Sequence, residues 1–169
     1  MYLKAFIQRQ FTFHYNQMDE ILRDVTEEQF HWIPPGNANP IACILIHILS
    51  AEDDIIQSIF RREPAIWEQQ MCDRKIWIKV PPMPGQGWDE VRKTNLPMAP
   101  ILEYGGIVRA ATLAYLDTLN AKELRRKVVF FGLDNTICDS LVTLISHNSL
   151  HVGEIAVLKG VQGIKGLPY

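Results

Sequence analysis

Two histidines four residues apart are the part of this chain whose spacing most directly suggests chemistry. His147 and His151 lie in "SHNSLHVGEIAVLKG", where apolar residues recur at helical spacing, and Glu154 follows three residues later. Four residues advance a helix by about 6 Å and turn it by about 400°, so both rings point the same way. Since imidazole nitrogens bind Zn²⁺ at about 2.0–2.1 Å, one ion can accept both rings, with Glu154 near the same face.

A third histidine has the same inward character. His47 lies in "ILIHILS", between Ile44 and Ile48 on the apolar side of a predicted helix. If this helix packs against the one that carries the pair, three neutral imidazoles meet with one coordination position open, the pattern of catalytic zinc sites. Such an ion lowers the pKa of bound water toward about 7, or holds a thiol as its thiolate. The pair is observed in the sequence, whereas the third ligand is inferred from packing.

The remaining histidines and other motifs suggest less. His14, on the first predicted helix, is interpreted as a core or cleft histidine, with lining of the site as the alternative. His31 stands at a helix end beside a proline turn and is interpreted as structural or solvent-facing. There is no His-Glu-x-x-His motif, and Glu28 to His31 is a single Glu-x-x-His, whereas a di-iron bundle needs two. Phosphate-binding glycine loops and a Gly-x-Ser-x-Gly elbow are also absent from the sequence.

Four long amphipathic helices are predicted to position these residues. Their approximate ranges are 3–30, 40–60, 99–120 and 135–159. Asn39 and Pro40 predict an N-cap followed by a first helical residue, and Gly160 predicts a stop. Gly105-Gly106 inside the third helix predicts close helix contact or a kink. With almost no strand pattern except a short extended piece in "RRKVVFFGLDNT", the chain is predicted to be all-α, most simply a four-helix bundle.

The segment 61–98 differs from the rest of the chain because it is rich in proline and tryptophan. A structureless loop of this length is unusual in a compact domain. We therefore expect short helical turns near 64–72 and 88–94, packed by Trp67, Trp77 and Trp88 over one end of the bundle. The segment is interpreted as an insert within a single domain that covers residues 1–169.

Composition limits the functional classes. The 169 residues are 47% hydrophobic and 21% charged, and the net charge of −2 argues against a nucleic-acid binder. Three cysteines without a Cys-x-x-Cys pair argue against a disulfide framework or a zinc ribbon, and Cys43 is predicted to be a buried small hydrophobe. The N-terminus lacks a signal-peptide core, and the longest apolar run, "PIACILIHILSA", is too short to span a bilayer. A cytoplasmic protein without a membrane partner is predicted.

With these residues in view, the chain resembles the DinB/YfiT-like metalloenzyme superfamily. "NPIACILIHILSAEDD" looks like the second helix of that family, in which a histidine is followed by acidic residues. "ILEYGGIVRAATLAYLDTL" looks like its third helix. "TLISHNSLHVGEIAVLKGVQG" looks like its C-terminal His-x-x-x-His-x-Gly-[Glu/Gln]-Ile helix and is the most specific of the three. The three stretches occur in the order of the family, and the resemblance extends over most of the chain apart from the insert.

The resemblance implies a DinB/YfiT-like four-helix bundle with up-down-down-up topology, usually homodimeric, and a divalent transition metal, often zinc or nickel. The three metal-binding histidines of the family fall on His47, His147 and His151. Glu154 falls on the Glu/Gln position, where it either holds a histidine ring or assists proton transfer, or is simply a surface or capping carboxylate. Known activities in the family include transferases and isomerases that use mycothiol or bacillithiol, and many members have no assigned activity. No thiol-cofactor motif is identified in this sequence.

Three functional hypotheses follow. The first is a metal-dependent enzyme that transfers a low-molecular-weight thiol or hydrolyses a small-molecule substrate. The second is a non-catalytic metal-binding stress-response module, with a closed coordination sphere that includes Glu154 and a large stability loss on chelation. The third is a helical interaction domain without a metal, in which His147 and His151 are only polar residues. Metal content and the number of protein ligands distinguish the three.

Overall fold

The chain folds mainly into helices. The computed structural model describes residues 2–71, 88–93, 96–130 and 132–167. The elements are, in chain order, α1 (Tyr2–Leu22), α2 (Glu27–His31), α3 (Ile41–Asp53) with a π-helical continuation (Asp54–Arg61), a π-helical turn (Trp67–Met71), α4 (Trp88–Lys93), α5 (Met98–Thr118), α6 (Ala121–Leu124), β1 (Lys127–Phe130), β2 (Leu133–Thr136) and α7 (Ile137–Val161). The predicted all-α class is confirmed, with one small hairpin added.

The four long helices pack around a common core. Helix α1 contacts α5 and α7, and α3 contacts the same two helices from the other side. Each long helix therefore has two long neighbours, as the predicted apolar stripes require. The up-down-down-up direction of the helices stays a prediction.

The predicted first helix, 3–30, was too long. Helix α1 ends at Leu22, and α2 begins separately after Thr26. The Thr26 hydroxyl accepts a hydrogen bond from the Gln29 amide, and the Gln29 side chain accepts one from the Thr26 amide, a capping box that starts a new helix. Leu3, where the predicted helix began, is exposed in the first turn of α1.

The other long helices begin and end within a few residues of their predicted ends. Pro40 is the N-cap of α3 rather than its first helical residue, so the predicted role of Asn39 as N-cap was wrong. Helix α7 starts at a capping box between Thr136 and Asp139. It continues through Gly160 to Val161, and the glycine that ends it is Gly163, whose φ of +77° suits glycine. The Ile164 amide donates back to the Lys159 carbonyl. The stop was therefore predicted three residues too early.

The predicted extended piece is an antiparallel hairpin. Strands β1 and β2 pair from Lys127 opposite Thr136 to Phe130 opposite Leu133, and Gly132 in the turn has a φ of +75°. The predicted close contact at Gly105 is confirmed, because a Cβ atom there would lie 3.2 Å from a Leu49 methyl group.

Two turns of the insert lie where they were predicted. Trp67–Met71 and Trp88–Lys93 are helical, and the Trp67 ring meets the Tyr104 ring edge-on with centroids 5.1 Å apart. Ile66 and Trp67 are held by the Asp53 carboxylate, which accepts from both backbone amides. Trp77 and the side chain of Trp88, which were predicted to pack the insert, lie outside the described residues.

A buried polar layer separates two hydrophobic clusters of the core. On each long helix, a buried polar residue lies between an apolar residue of one cluster and an apolar residue of the other, and on α3 the buried Asp53 lies beside it. We call this set the polar layer, and its members are His14 on α1, Glu52 on α3, Thr112 on α5 and Asn148 on α7. Buried polar groups of this kind need hydrogen-bond partners, which for this layer must come from the neighbouring helices.

Helix α7 is the one described helix whose length and composition would allow it to cross a membrane. Its inward face is part of both hydrophobic clusters, through residues such as Leu141, Leu144 and Ile155. A core-forming helix has this hydropathy without a bilayer. Cys43 on α3 is buried as predicted, and burial raises the pKa of its thiol to about 11.

Candidate metal centre

Three histidine rings from two helices meet at one place. His47 projects from α3, and His147 and His151 project from α7, which packs against α3. The Nε2 atom of His147 lies 2.9 Å from Nε2 of His47 and 3.2 Å from Nε2 of His151. The ring centroids form a nearly equilateral triangle with sides of 4.9, 4.9 and 4.5 Å. The structure thus brings together all three of the predicted ligand residues.

The triangle has the dimensions that a tetrahedral metal ion requires. Metal–nitrogen bonds of about 2.0–2.1 Å at tetrahedral angles place neighbouring nitrogens about 3.3 Å apart. One ligand atom from each ring lies within 4.8 Å of the others, and two of the separations are already 2.9 and 3.2 Å. These two separations are within a few tenths of an ångström of the tetrahedral value, and the group can hold a divalent metal ion. Among the described residues, no carboxylate or thiol joins this group.

Burial lowers the pKa values of two of these rings, His47 and His147, and so favours the uncharged form that binds a cation. Burial, followed by the charges of His147 and His151, lowers the pKa of His47 to about 4. Burial also lowers the pKa of His147, against the opposing effect of its hydrogen bond with Asn148. Both rings are therefore neutral at neutral pH, and a neutral imidazole has the free nitrogen lone pair that a metal needs.

Glu154 contacts one of these rings. His151 Nδ1 lies 2.5 Å from Glu154 Oε2, within one turn of α7. Because a carboxylate oxygen accepts, Nδ1 carries the proton and Nε2 of His151 is left free on the side of the other two rings. This contact is the one expected of a residue that holds a histidine ring, and assistance in proton transfer stays a prediction.

His147 is oriented by residues that the sequence did not identify. Its Nδ1 atom lies 3.1 Å from Oδ1 of Asn148, whose Nδ2 donates to Glu52 Oε2 at 3.0 Å. Glu52 Oε1 accepts from the Tyr15 hydroxyl at 2.5 Å and from the Thr112 hydroxyl at 2.7 Å. The carboxylate of Glu52 thus connects all four long helices and reaches a candidate ligand through one amide.

The Glu52 carboxylate is held where water cannot reach it. Its residue is 1% exposed, and burial raises its pKa, whereas the hydrogen bonds from Tyr15, Thr112 and Asn148 act in the opposite direction. Burial likewise raises the pKa of Tyr15 well above its usual value. Three donors around one buried carboxylate satisfy the rule that buried polar groups find partners.

The two other histidines are not part of the three-ring group. His14 is buried as predicted, at 3% exposure, and its Nδ1 atom has no hydrogen-bond partner among the described residues. Burial, then the charges of Arg109 and His147, lowers its pKa to about 4, which shows that it lies within electrostatic reach of the centre. His31 is half-buried and bonds Glu27 within α2 at 3.1 Å, in agreement with a structural role.

A sequence signal for the missed residues exists. Glu52, Thr112 and Asn148 each occupy a position where the helical apolar stripe expects a hydrophobic residue. A polar residue at such a position is buried, so it must find partners on other helices. What the sequence does not contain is which of these residues meet.

The fold is thus a helical bundle, and its candidate site is a half-buried group of three histidines that could hold a metal ion. The family model of the DinB superfamily matches residues 10–155 of the chain. The chain therefore belongs to the DinB superfamily, as the three quoted helices suggested. The comparison with curated proteins gives no significant match.

A solved structure supports the fold over nearly the full length. The chain is similar to the crystal structure of a conserved protein from Enterococcus faecalis, with a TM-score of 0.79 and 17% sequence identity. The alignment covers 94% of this chain and 96% of the other. At this identity the likeness extends to the fold alone.

Proposed function

We propose that the chain is a metal-dependent enzyme that binds one zinc or nickel ion through His47, His147 and His151. Its substrate would be a small molecule, and the reaction either transfer of a low-molecular-weight thiol or metal-assisted hydrolysis. One observation carries the proposal: three imidazole rings converge with Nε2–Nε2 separations of 2.9 and 3.2 Å, and no fourth protein ligand joins them among the described residues. Three protein ligands with one open position are typical of catalytic rather than structural zinc.

The ion would supply Lewis acidity and a lowered pKa for water or thiol at the open position. The chain itself supplies orientation. Glu154 Oε2 accepts a hydrogen bond from Nδ1 of His151, and Asn148 Oδ1 accepts one from Nδ1 of His147. The Nε2 atoms of both rings therefore carry no proton and can bind a metal. The Glu154 side chain is 57% exposed, and assistance in proton transfer is the second role that we propose for it.

The non-catalytic stress-response module is less well supported. That hypothesis needs a closed coordination sphere with Glu154 as fourth ligand. In the structure, Glu154 contacts His151 at Nδ1, whereas the three rings face one another through Nε2. The carboxylate is thus bonded to the back of a candidate ligand.

A homodimer is part of the proposal, as is a cytoplasmic location. Exposed apolar residues support a second copy: Phe6 and Phe13 on α1, with Val142, Leu150 and Val157 on the neighbouring helix α7. Large exposed apolar side chains that recur along two packed helices mark surfaces that partners cover. Sedimentation of the wild type beside Leu150→Glu tests this part, and a wild-type monomer at high concentration would contradict it.

Cobalt substitution tests the proposed site and its open position. Co²⁺ titrated into metal-free protein should give visible bands of a four-coordinate histidine site. Adding 2-mercaptoethanol should then produce a thiolate-to-cobalt charge-transfer band, whereas ethylene glycol, which has a hydroxyl in place of the thiol, should not. The His147→Ala variant provides the control for the protein ligands. Cobalt bands that change with neither additive would indicate a closed site and favour the non-catalytic module. The absence of any cobalt bands would overturn metal binding.

A further inference from the structure

The polar layer contains a directed chain of hydrogen bonds that ends at a candidate ligand. It runs from Glu52 through Asn148 to His147, with heavy-atom distances of 3.0 and 3.1 Å. Glu52 and Asn148 are completely or almost completely buried, at 1% and 0% exposure, so water does not compete for these bonds. The direction of each bond is therefore set by the groups themselves.

The direction follows from which atoms can donate. A carboxylate oxygen accepts, so Asn148 must turn its Nδ2 donor toward Glu52 Oε2. This orientation presents the Asn148 carbonyl oxygen to His147. An amide oxygen only accepts, so Nδ1 of His147 must carry the ring proton. In a neutral ring that leaves Nε2 without a proton, facing the Nε2 atoms of His47 and His151.

We propose that Glu52 is a positioning residue for the metal centre, which acts through Asn148 to hold His147 in the Nδ1–H tautomer. The inference rests on the proposed function, because the free Nε2 atom matters only if a metal binds there. Glu52 touches neither His147 nor a substrate, so its effect on the centre is transmitted by one amide. Partners that fix a ligating histidine in this way change metal affinity by about 10–100-fold when they are removed.

Two substitutions at one position separate this role from mere support of the fold. Glu52→Met keeps the length of the side chain but removes the acceptor, so the Asn148 amide can reverse. Glu52→Gln can still accept from Asn148 with its carbonyl and donate to Tyr15 and Thr112, so it should restore the direction without the charge. Thr112→Val is the matched control, because it removes a donor to the same carboxylate on the side away from His147.

The first measurement is the ¹⁵N spectrum of the histidine rings in metal-free protein. We expect the Nδ1–H form of His147 in the wild type, in Glu52→Gln and in Thr112→Val, and a shift toward the Nε2–H form in Glu52→Met. The second is the affinity for Zn²⁺ in competition with a chelator. It should fall by about tenfold or more in Glu52→Met and by less than about threefold in the other two variants.

Failure of this proposal and failure of the proposed function give different results. An unchanged tautomer in Glu52→Met, or an equal change in Thr112→Val, would overturn the proposal. If Glu52→Met does not fold, Asn148→Ala interrupts the same chain and is held to the same criteria. A wild type that binds no Zn²⁺ would defeat the proposed function, whereas the tautomer of His147 in metal-free protein would still decide whether Glu52 controls the ring.

Discussion

Glu52 and Asp53 are consecutive carboxylates, each 1% exposed, yet they serve different regions of the molecule. Glu52 is bonded only by side chains, which come from the three other long helices and lead to His147. Asp53 is bonded by the backbone amides of Ile66 and Trp67, at 3.0 and 2.9 Å, and by the Tyr104 hydroxyl at 2.7 Å. Burial raises the pKa of both carboxyl groups.

The difference teaches how to distinguish a structural carboxylate from one that serves a site. Backbone amides as partners fix the path of the chain, here the point where the insert leaves α3. Side chains as partners fix other side chains, and the last of these can be a functional ring. Two carboxylates with the same burial can therefore have different roles, and their hydrogen-bond partners determine which role each has.

Removal of the Asp53 carboxylate should have the largest effect on stability. Asp53→Ala leaves two backbone amides and one hydroxyl without their acceptor, which should lower the free energy of unfolding by about 3–4 kcal/mol. Urea denaturation measures this change. Zn²⁺ affinity of the folded variant should stay within about threefold of the wild type.

The neighbouring residue provides the control for this prediction. Asp54 is exposed, so Asp54→Ala should change stability by less than about 0.5 kcal/mol. A large loss of metal affinity in Asp53→Ala would remove the distinction between the two carboxylates.

A smaller effect is expected at His14, the member of the polar layer whose Nδ1 atom has no hydrogen-bond partner in the part of the chain that the structure describes. Its pKa is lowered to about 4 in the folded state, against 6.5 for an ordinary histidine. Above pH 6.5 the ring is neutral in both states. Between pH 6.5 and 4 the unfolded chain binds the proton and the folded protein does not, so stability falls as the pH falls.

The size of this effect can be isolated by substitution. From about pH 7.5 to about pH 4.5 the His14 contribution should amount to roughly 2–3 kcal/mol. The stability of metal-free His14→Leu should therefore fall less steeply over this range than that of the wild type, as measured by urea denaturation at each pH. Parallel curves for the two proteins would show that His14 does not stay neutral in the folded state.

The smallest effect is expected at the exposed end of the centre. Glu154→Gln weakens the hydrogen bond to His151, but the carboxylate is half in water and its charge is screened. Zn²⁺ affinity should fall by about threefold to tenfold, less than in Glu52→Met. The control is Glu27→Gln, which alters the Glu27–His31 pair in α2 and should leave the Zn²⁺ affinity unchanged. A greater loss in Glu154→Gln than in Glu52→Met would reverse the ranking of buried and exposed partners.

Much of the fold could be predicted because its signals are local. Apolar residues at helical spacing indicated the four long helices, and the spacing of His147 and His151 alone places both rings on one side of α7. The assignment of His47 depended on packing and on the resemblance. Two of the wrong helix ends have local causes: a capping box at Thr26 was overlooked, and Gly163 rather than Gly160 adopts the left-handed conformation.

The polar layer could not be predicted in the same way. Its partners are far apart in the chain, since Glu52 bonds to residues 37, 60 and 96 positions away. Sequence spacing indicates that Thr112 and Asn148 are buried, but not which acceptor they meet. Only the packing of all four helices brings their donors to one carboxylate.

The central claim is that the three rings bind a metal ion, and metal content tests it most directly. Elemental analysis of tag-free wild-type protein beside His151→Ala should find about one transition metal per chain in the wild type and a loss in the variant. Near-zero metal in both proteins, even after incubation with zinc and nickel, would contradict the account and leave a helical bundle whose histidines serve another purpose.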